Sequence, residues 1–257
     1  MRSLQTLRPA ALGALLVLAA VQPVHAADRV LRMQSPAPLR HGLAAMPLIA
    51  APADDAERRI NAALKKLDEH VLKAAAGCKG EKHAPAVWDR GVDVTMHGPA
   101  YLSYTITDSI DCAGAHPDSA IMSIVYDLRT GAPVDWTRLL PATLTGTIAL
   151  EGGEDGTKMV TLASKRLWSL YWMAYQASHK DDESCSASIK ELGANDPPPM
   201  MVWLAGASGS LGLTFNVPHA VLACADEMTV PSATLHQEGA ALPLIEALEA
   251  ARAGSEK

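Results

Sequence analysis

The chain has 257 residues, 49% of them hydrophobic, and a formal net charge of −6. That acidic balance, without any Lys/Arg block, excludes an electrostatic footprint for nucleic acid or anionic lipid and leaves a basic partner as the charge-matched one. Beyond the N-terminus no charge-free apolar run reaches the roughly 18 residues of a membrane helix, so no stable insertion is expected.

Residues 1–26 read as a signal peptide. Arg2 and Arg8 form a basic start, and Ala10 to Val21 is an apolar stretch of twelve residues, too short to span a bilayer comfortably. Val24-His25-Ala26 has the small-x-small form of a cleavage site, and no cysteine follows it to carry a lipid. The expected mature chain, 27–257, keeps 231 of the 257 residues, and loss of Arg2 and Arg8 takes the charge from −6 to −8. It is read as one periplasmic or secreted α+β domain, with 27–141 and 157–257 as candidate subdomains.

In chain order, Val30–Met33 alternates like an edge strand, and a Pro-containing stretch leads through Pro47-Leu48-Ile49 to a helix. Asp54 as N-cap with Glu57 three residues on forms a capping-box-like pair. Ile60, Leu64, Leu67, Val71 and Ala75 then make one apolar stripe, ending at Gly77. Val92, Val94 and Met96 alternate as a strand, Gly98-Pro99-Ala100 turns, and Leu102, Tyr104 and Ile106 continue on the next strand. A third strand covers about Ala120 to Leu128. The expected result is an antiparallel meander beneath an amphipathic helix.

In the second half Gly152–Gly156 reads as a loop and Thr157–Ser178 as one helix. Leu162, Leu167, Leu170, Met173 and Ala177 are expected to face inward. Trp168 with Trp172, and Tyr171 with Tyr175, are i,i+4 aromatic pairs, read as core rather than a sugar-stacking platform. Met200–Ala205, Leu211–Val217 and Thr229-Val230 are strand candidates, and Leu242–Arg252 closes the chain as a helix. The fold class is therefore α+β, with antiparallel sheets each covered by an amphipathic helix. The repeated order of helix, cysteine, strands and cysteine hints at two related halves.

The four cysteines, Cys78, Cys112, Cys185 and Cys224, read as two disulfides in an exported chain. Their separations of 34, 73 and 39 residues lack the close pairs of a zinc site. Pairing the strands about Gly98-Pro99 sets Cys112 opposite the region before Trp88, within reach of Cys78. Cys185–Cys224 follows from the same setting.

The most distinctive passage runs from Cys112 to Gly131. It contains Ala113-Gly114-Ala115-His116-Pro117 and Tyr126-Asp127-Leu128-Arg129-Thr130-Gly131. With Pro47-Leu48-Ile49, Ile60-Asn61-Ala62-Ala63-Leu64 and Gly212-Leu213-Thr214-Phe215-Asn216-Val217-Pro218-His219, it resembles a secreted domain family. That family forms the extracellular part of the lysozyme-sensing anti-sigma factor of Gram-positive bacteria and precedes the catalytic domain of some peptidoglycan deacetylases. The resemblance implies an envelope-facing α+β domain. Departures are Ala113 for the first glycine, the preceding Cys112, and Ala223-Cys224-Ala225-Asp226 in the closing motif, which point to a disulfide-stapled branch. Neither an anti-sigma membrane segment nor a deacetylase domain is recognisable.

The inventory of chemistry is mostly negative. No H-E-x-x-H, G-x-S-x-G or phosphate loop occurs, so no catalytic residue, metal ligand or cofactor is assigned. Gly114, His116, Pro117, Tyr126, Asp127, Gly131 and His219 are the motif or ligand-contact candidates. His116 before Pro117 is read as locking a loop through its ring, the alternative being a base near Asp111 or Asp118. The expected function is non-enzymatic binding of peptidoglycan, a lysozyme-like protein or another exported protein. The alternative is a glycan-modifying hydrolase with its site around His116, His97 or His219.

Overall fold

The structure, a computed structural model, describes residues 30–80, 86–112, 117–180, 183–193, 196–215 and 224–256. Residues 1–29, on which the expected signal peptide falls, and Gly114, His116 and His219 lie outside the described residues. In chain order come β1 (Met33–Gln34), β2 (Leu48–Ile49), α1 (Asp55–Gly77), β3 (Val87–His97), β4 (Tyr101–Asp111), β5 (Asp118–Asp127) and β6 (Ala132–Pro133). Then follow α2 (Ala142–Thr145), β7 (Thr147–Gly152), β8 (Lys158–Ala163), α3 (Lys165–Ser178), α4 (Glu183–Leu192), β9 (Met200–Ala205), β10 (Ser210–Thr214), β11 (Met228–Pro231), α5 (Ser232–Gln237) and α6 (Leu242–Ser255).

Strands β3-β4-β5-β6 form one antiparallel sheet, and β11-β10-β9-β8-β7 form a second. Helix α1 is capped as its sequence dictates. The Asp54 carboxylate accepts the Glu57 amide at 2.9 Å, and Glu57 in turn accepts the Ala53 amide. Its stripe, Ile60 and Leu64 foremost, packs on Leu102, Tyr104, Ile106, Met122, Ile124 and Tyr126 of the first sheet. On the second sheet Val202, Leu204, Leu211, Leu213 and Val230 share a core with Leu167, Tyr171 and Tyr175 of α3 and Leu244 and Leu248 of α6. The aromatic stripe is therefore core at Trp168, Tyr171 and Tyr175, with Trp172 half-buried against it.

The opposite face of the first sheet receives β9 directly. Strand β8 pairs with β9 only at Thr161↔Met201 and Leu162↔Met200. Beyond that point Ser103 Oγ accepts the Leu204 amide at 3.0 Å, and Ser123 Oγ donates to the Val202 carbonyl at 3.0 Å. Two serines on a sheet face thus satisfy the β9 backbone where its own neighbour has splayed away.

Both disulfides form, Cys78–Cys112 and Cys185–Cys224, with Cα separations of 4.9 and 5.1 Å. The first ties the end of α1 to the end of β4. The second differs in setting from the expectation, because Cys185 lies inside α4 rather than after a helix.

Several elements depart from the sequence reading. Thr157–Ser178 is a strand followed by a helix: β8 ends at Ala163, and Ser164 caps α3 by accepting the Leu167 amide at 2.9 Å. Leu162 thereby becomes a strand residue, and Met173 faces outward. A bulge between Val94 and Met96 turns Met96 away from the α1 side and toward Gly206 and Ala251. The first edge strand is confined to Met33–Gln34, paired with Leu48–Ile49.

Candidate functional site

The Pro47–Ile49, Ile60–Leu64 and Tyr126–Gly131 segments of the signature converge on α1, whereas Gly212–Phe215 belongs to β10 and the core of the second sheet. Asn61 donates to the Ile49 carbonyl and accepts the Ile49 amide, both at 2.9 Å, so one amide side chain holds the Pro47–Ile49 segment in both directions. The Tyr104 hydroxyl donates to the Pro47 carbonyl at 2.8 Å. Tyr126 is buried against the helix, and burial pushes its hydroxyl up to about 12.

Asp127 accepts the Arg129 amide at 2.7 Å and the Thr130 amide at 3.3 Å, fixing the turn that ends at Gly131. Gly131 has φ of +69°, and a Cβ there would stand 2.4 Å from the Ala56 carbonyl oxygen. Arg59 reaches across to donate to the Thr130 carbonyl at 2.7 Å. In this setting Tyr126, Asp127 and Gly131 dock the turn on the first turns of α1. Pro117 is exposed and enters β5.

A buried ionic cluster ties the hairpin β7–β8 to the first sheet. Arg90 donates from Nε and Nη2 to the Asp108 carboxylate, both at 2.7 Å, and from Nη2 to Asp155 at 2.8 Å. The Trp88 indole adds a bond to Asp108 at 3.0 Å, and Asp155 accepts the Thr157 amide at 2.8 Å. All three charged side chains are essentially solvent-free. Asp68, which accepts the Met46 amide, is held above the usual carboxylate range by burial, with that bond and Arg90 opposing. Sealed in this way, the cluster has no access for a substrate and acts between elements.

The accessible chemistry lies elsewhere. The register places Asp93, Thr107 and Ser109 on the β9 side of the first sheet, beyond the stretch that β9 covers, and all three are exposed. Glu227, just before β11, stands near Asp93. Its carboxyl is held above the ordinary glutamate range first by partial desolvation and then by the carboxylates of Asp93 and Asp226. Next to it, His179 Nε2 lies 2.7 Å from Asp226 Oδ2, and His179 Nδ1 lies 3.1 Å from the Tyr175 carbonyl. The imidazole stacks on Tyr175 at 4.1 Å, and the Tyr171 hydroxyl donates to the Asp226 carbonyl at 2.9 Å. With an oxygen acceptor at each ring nitrogen, the imidazole is engaged on both sides, unlike a base poised on a nucleophile. Among the described residues no group of His, Cys, Asp and Glu is arranged to hold a metal ion.

His179, Asp226, Glu227 and Asp93 were not singled out by the sequence reading. The available signal was the extension of the stripe Trp172, Tyr175 by one more helical step to His179. His97 does not join them: its Nδ1 lies 3.1 Å from the Leu31 carbonyl at the far end of β3.

Neither a family model nor a curated protein matches the chain. Among solved structures it is similar to a DUF3298 family protein from Pseudomonas aeruginosa PAO1, at 15% identity over 71% of each chain with a TM-score of 0.43. It is also similar to a member of the DUF3298 family from Bacteroides fragilis NCTC 9343. That match has 14% identity over 75% of this chain and 68% of the other, with a TM-score of 0.46. Among the described residues no helix is long and apolar enough to cross a membrane.

Proposed function

We propose that this chain is an exported cell-envelope binding domain without catalytic activity, and that it meets its partner with the open part of the first sheet. The observation that carries the reading is the exposed polar surface of Asp93, Thr107 and Ser109 on the β9 side of the first sheet, with Glu227 near Asp93 at its border. Two closed disulfides support an oxidising compartment. The carboxylates favour a basic partner, such as a lysozyme-like protein, over peptidoglycan itself. Immobilised mature chain is expected to retain lysozyme, with retention lost in Asp93→Lys and in high salt. Retention of neither lysozyme nor purified peptidoglycan removes these ligands.

The competing reading, a glycan-modifying hydrolase, draws on Glu227. A carboxyl held high beside a second carboxylate is the pattern of an acid/base pair. Release of soluble muropeptides by the wild type, abolished in Glu227→Gln, would decide for that reading.

A further inference from the structure

Strand β7 forms one end of the second sheet, and among the described residues no strand lies on its side away from β8. Every residue from Thr147 to Leu150 is exposed, and Ile148 and Leu150 remain 41% and 69% accessible on one face. The Gly153 amide bonds the Thr157 carbonyl at 2.8 Å across the hairpin. In the alternating register from that pair, the backbone groups of Glu151, Ala149 and Thr147 turn toward β8, while those of Ile148 and Leu150 turn outward. The strand carries none of the usual guards of a solitary edge: no proline, no lysine and no bulge, with Glu151 its sole charge.

We propose that β7 pairs with β7 of a second copy of this chain, antiparallel about a two-fold axis at Ala149, joining the two five-stranded sheets into one continuous sheet. In that register Ile148 lies beside Leu150 of the second copy, and Leu150 beside its Ile148. The outward amides and carbonyls of each are exchanged, and all four apolar side chains meet on one face. Glu151 falls opposite Thr147 of the second copy, so the carboxylates stay apart. A two-fold at Leu150 instead sets Ile148 beside a glycine, which gives the pairing at Ala149 the better apolar contact. A six-residue strand per copy falls short of the roughly 20–30 residues a side of a standard interface, so the dimer is weak and concentration dependent.

The test uses the oxidised mature chain in sedimentation velocity over a concentration series. The wild type is expected to move from monomer toward dimer as concentration rises. Leu150→Lys, at an exposed position, is expected to weaken dimerisation by about tenfold or more with an unchanged circular dichroism spectrum. All four native cysteines are paired, so A149C adds a lone thiol, expected to give a disulfide-linked dimer, whereas T147C is not. A wild type that stays monomeric throughout overturns the proposal, as does a dimer that persists in L150K or leaves A149C uncrosslinked. Uptake of an extended apolar peptide by a monomeric wild type, lost in L150K, assigns the edge to another occupant and also overturns self-pairing.

Discussion

The hydroxyl of Ser103 accepts the Leu204 amide at 3.0 Å while also receiving the Thr95 hydroxyl at 2.8 Å. One small side chain on the first sheet therefore completes a backbone bond of the second, at the point where β8 leaves β9. Ser103→Ala strands a buried amide and is expected to cost about 1–3 kcal/mol in urea denaturation. Ser123→Ala is expected to cost less, because a carbonyl that loses one donor is more easily satisfied. Equal stability of both variants and the wild type would show that the two sheets do not depend on these bonds.

Arg90 is the cation between Asp108 and Asp155, with all three side chains sealed from water. Arg90→Met leaves two buried carboxylates without their counter-charge, and the expected loss is about 3–5 kcal/mol. Asp155→Asn is expected to cost less, since the two bonds to Asp108 survive. Thermal melts of the two variants side by side check the order.

Gly131→Ala meets both a positive φ and the Ala56 backbone. The expected destabilisation exceeds about 1 kcal/mol, with the loss shown by faster hydrogen exchange in the first turns of α1. Exchange that changes only at α6 would contradict the docking role of this turn.

The raised Glu227 carboxyl sets a pH dependence. A carboxyl whose folded pKa lies above its ordinary 4.5 contributes stability below that value and loses it as pH rises through the elevated one. Glu227→Gln is therefore expected to be more stable than wild type at neutral pH, with the advantage vanishing in acid. A variant less stable than wild type at neutral pH would refute the assignment of burial and like charge as the cause.

Each disulfide closes a long loop, with separations of 34 and 39 residues. In the chain-entropy model each contributes about 4 kcal/mol. Non-reducing peptide mapping is expected to show the two pairs, and reduction is expected to lower the denaturation midpoint sharply. Retention of the midpoint after complete reduction would show that the core alone sustains the fold.

Local regularity made part of this architecture legible from the chain. The α1 stripe, its Asp54–Glu57 cap and the meander about Gly98-Pro99 follow from short-range patterns, and the meander in turn brings Cys112 within reach of Cys78. The misread stretch, Thr157–Ser178, shows the limit. Leu162 and Leu167 suit a helix or the junction of a strand and a helix, and Ser164 with its bond to the Leu167 amide marks where one becomes the other. The bulge at Val94–Met96 broke the two-residue period in the same way.

The sequence by itself determined the α+β class and the role of the aromatic stripe as core, because periodicity acts over a few residues at a time. The tertiary structure alone decided which polar groups meet. Arg90 finds Asp155 across 65 positions, His179 finds Asp226 across 47, and Ser103 finds Leu204 across 101. Such partners share no period or spacing; they are brought together only when burial of the two sheets forces every desolvated donor and acceptor to be satisfied.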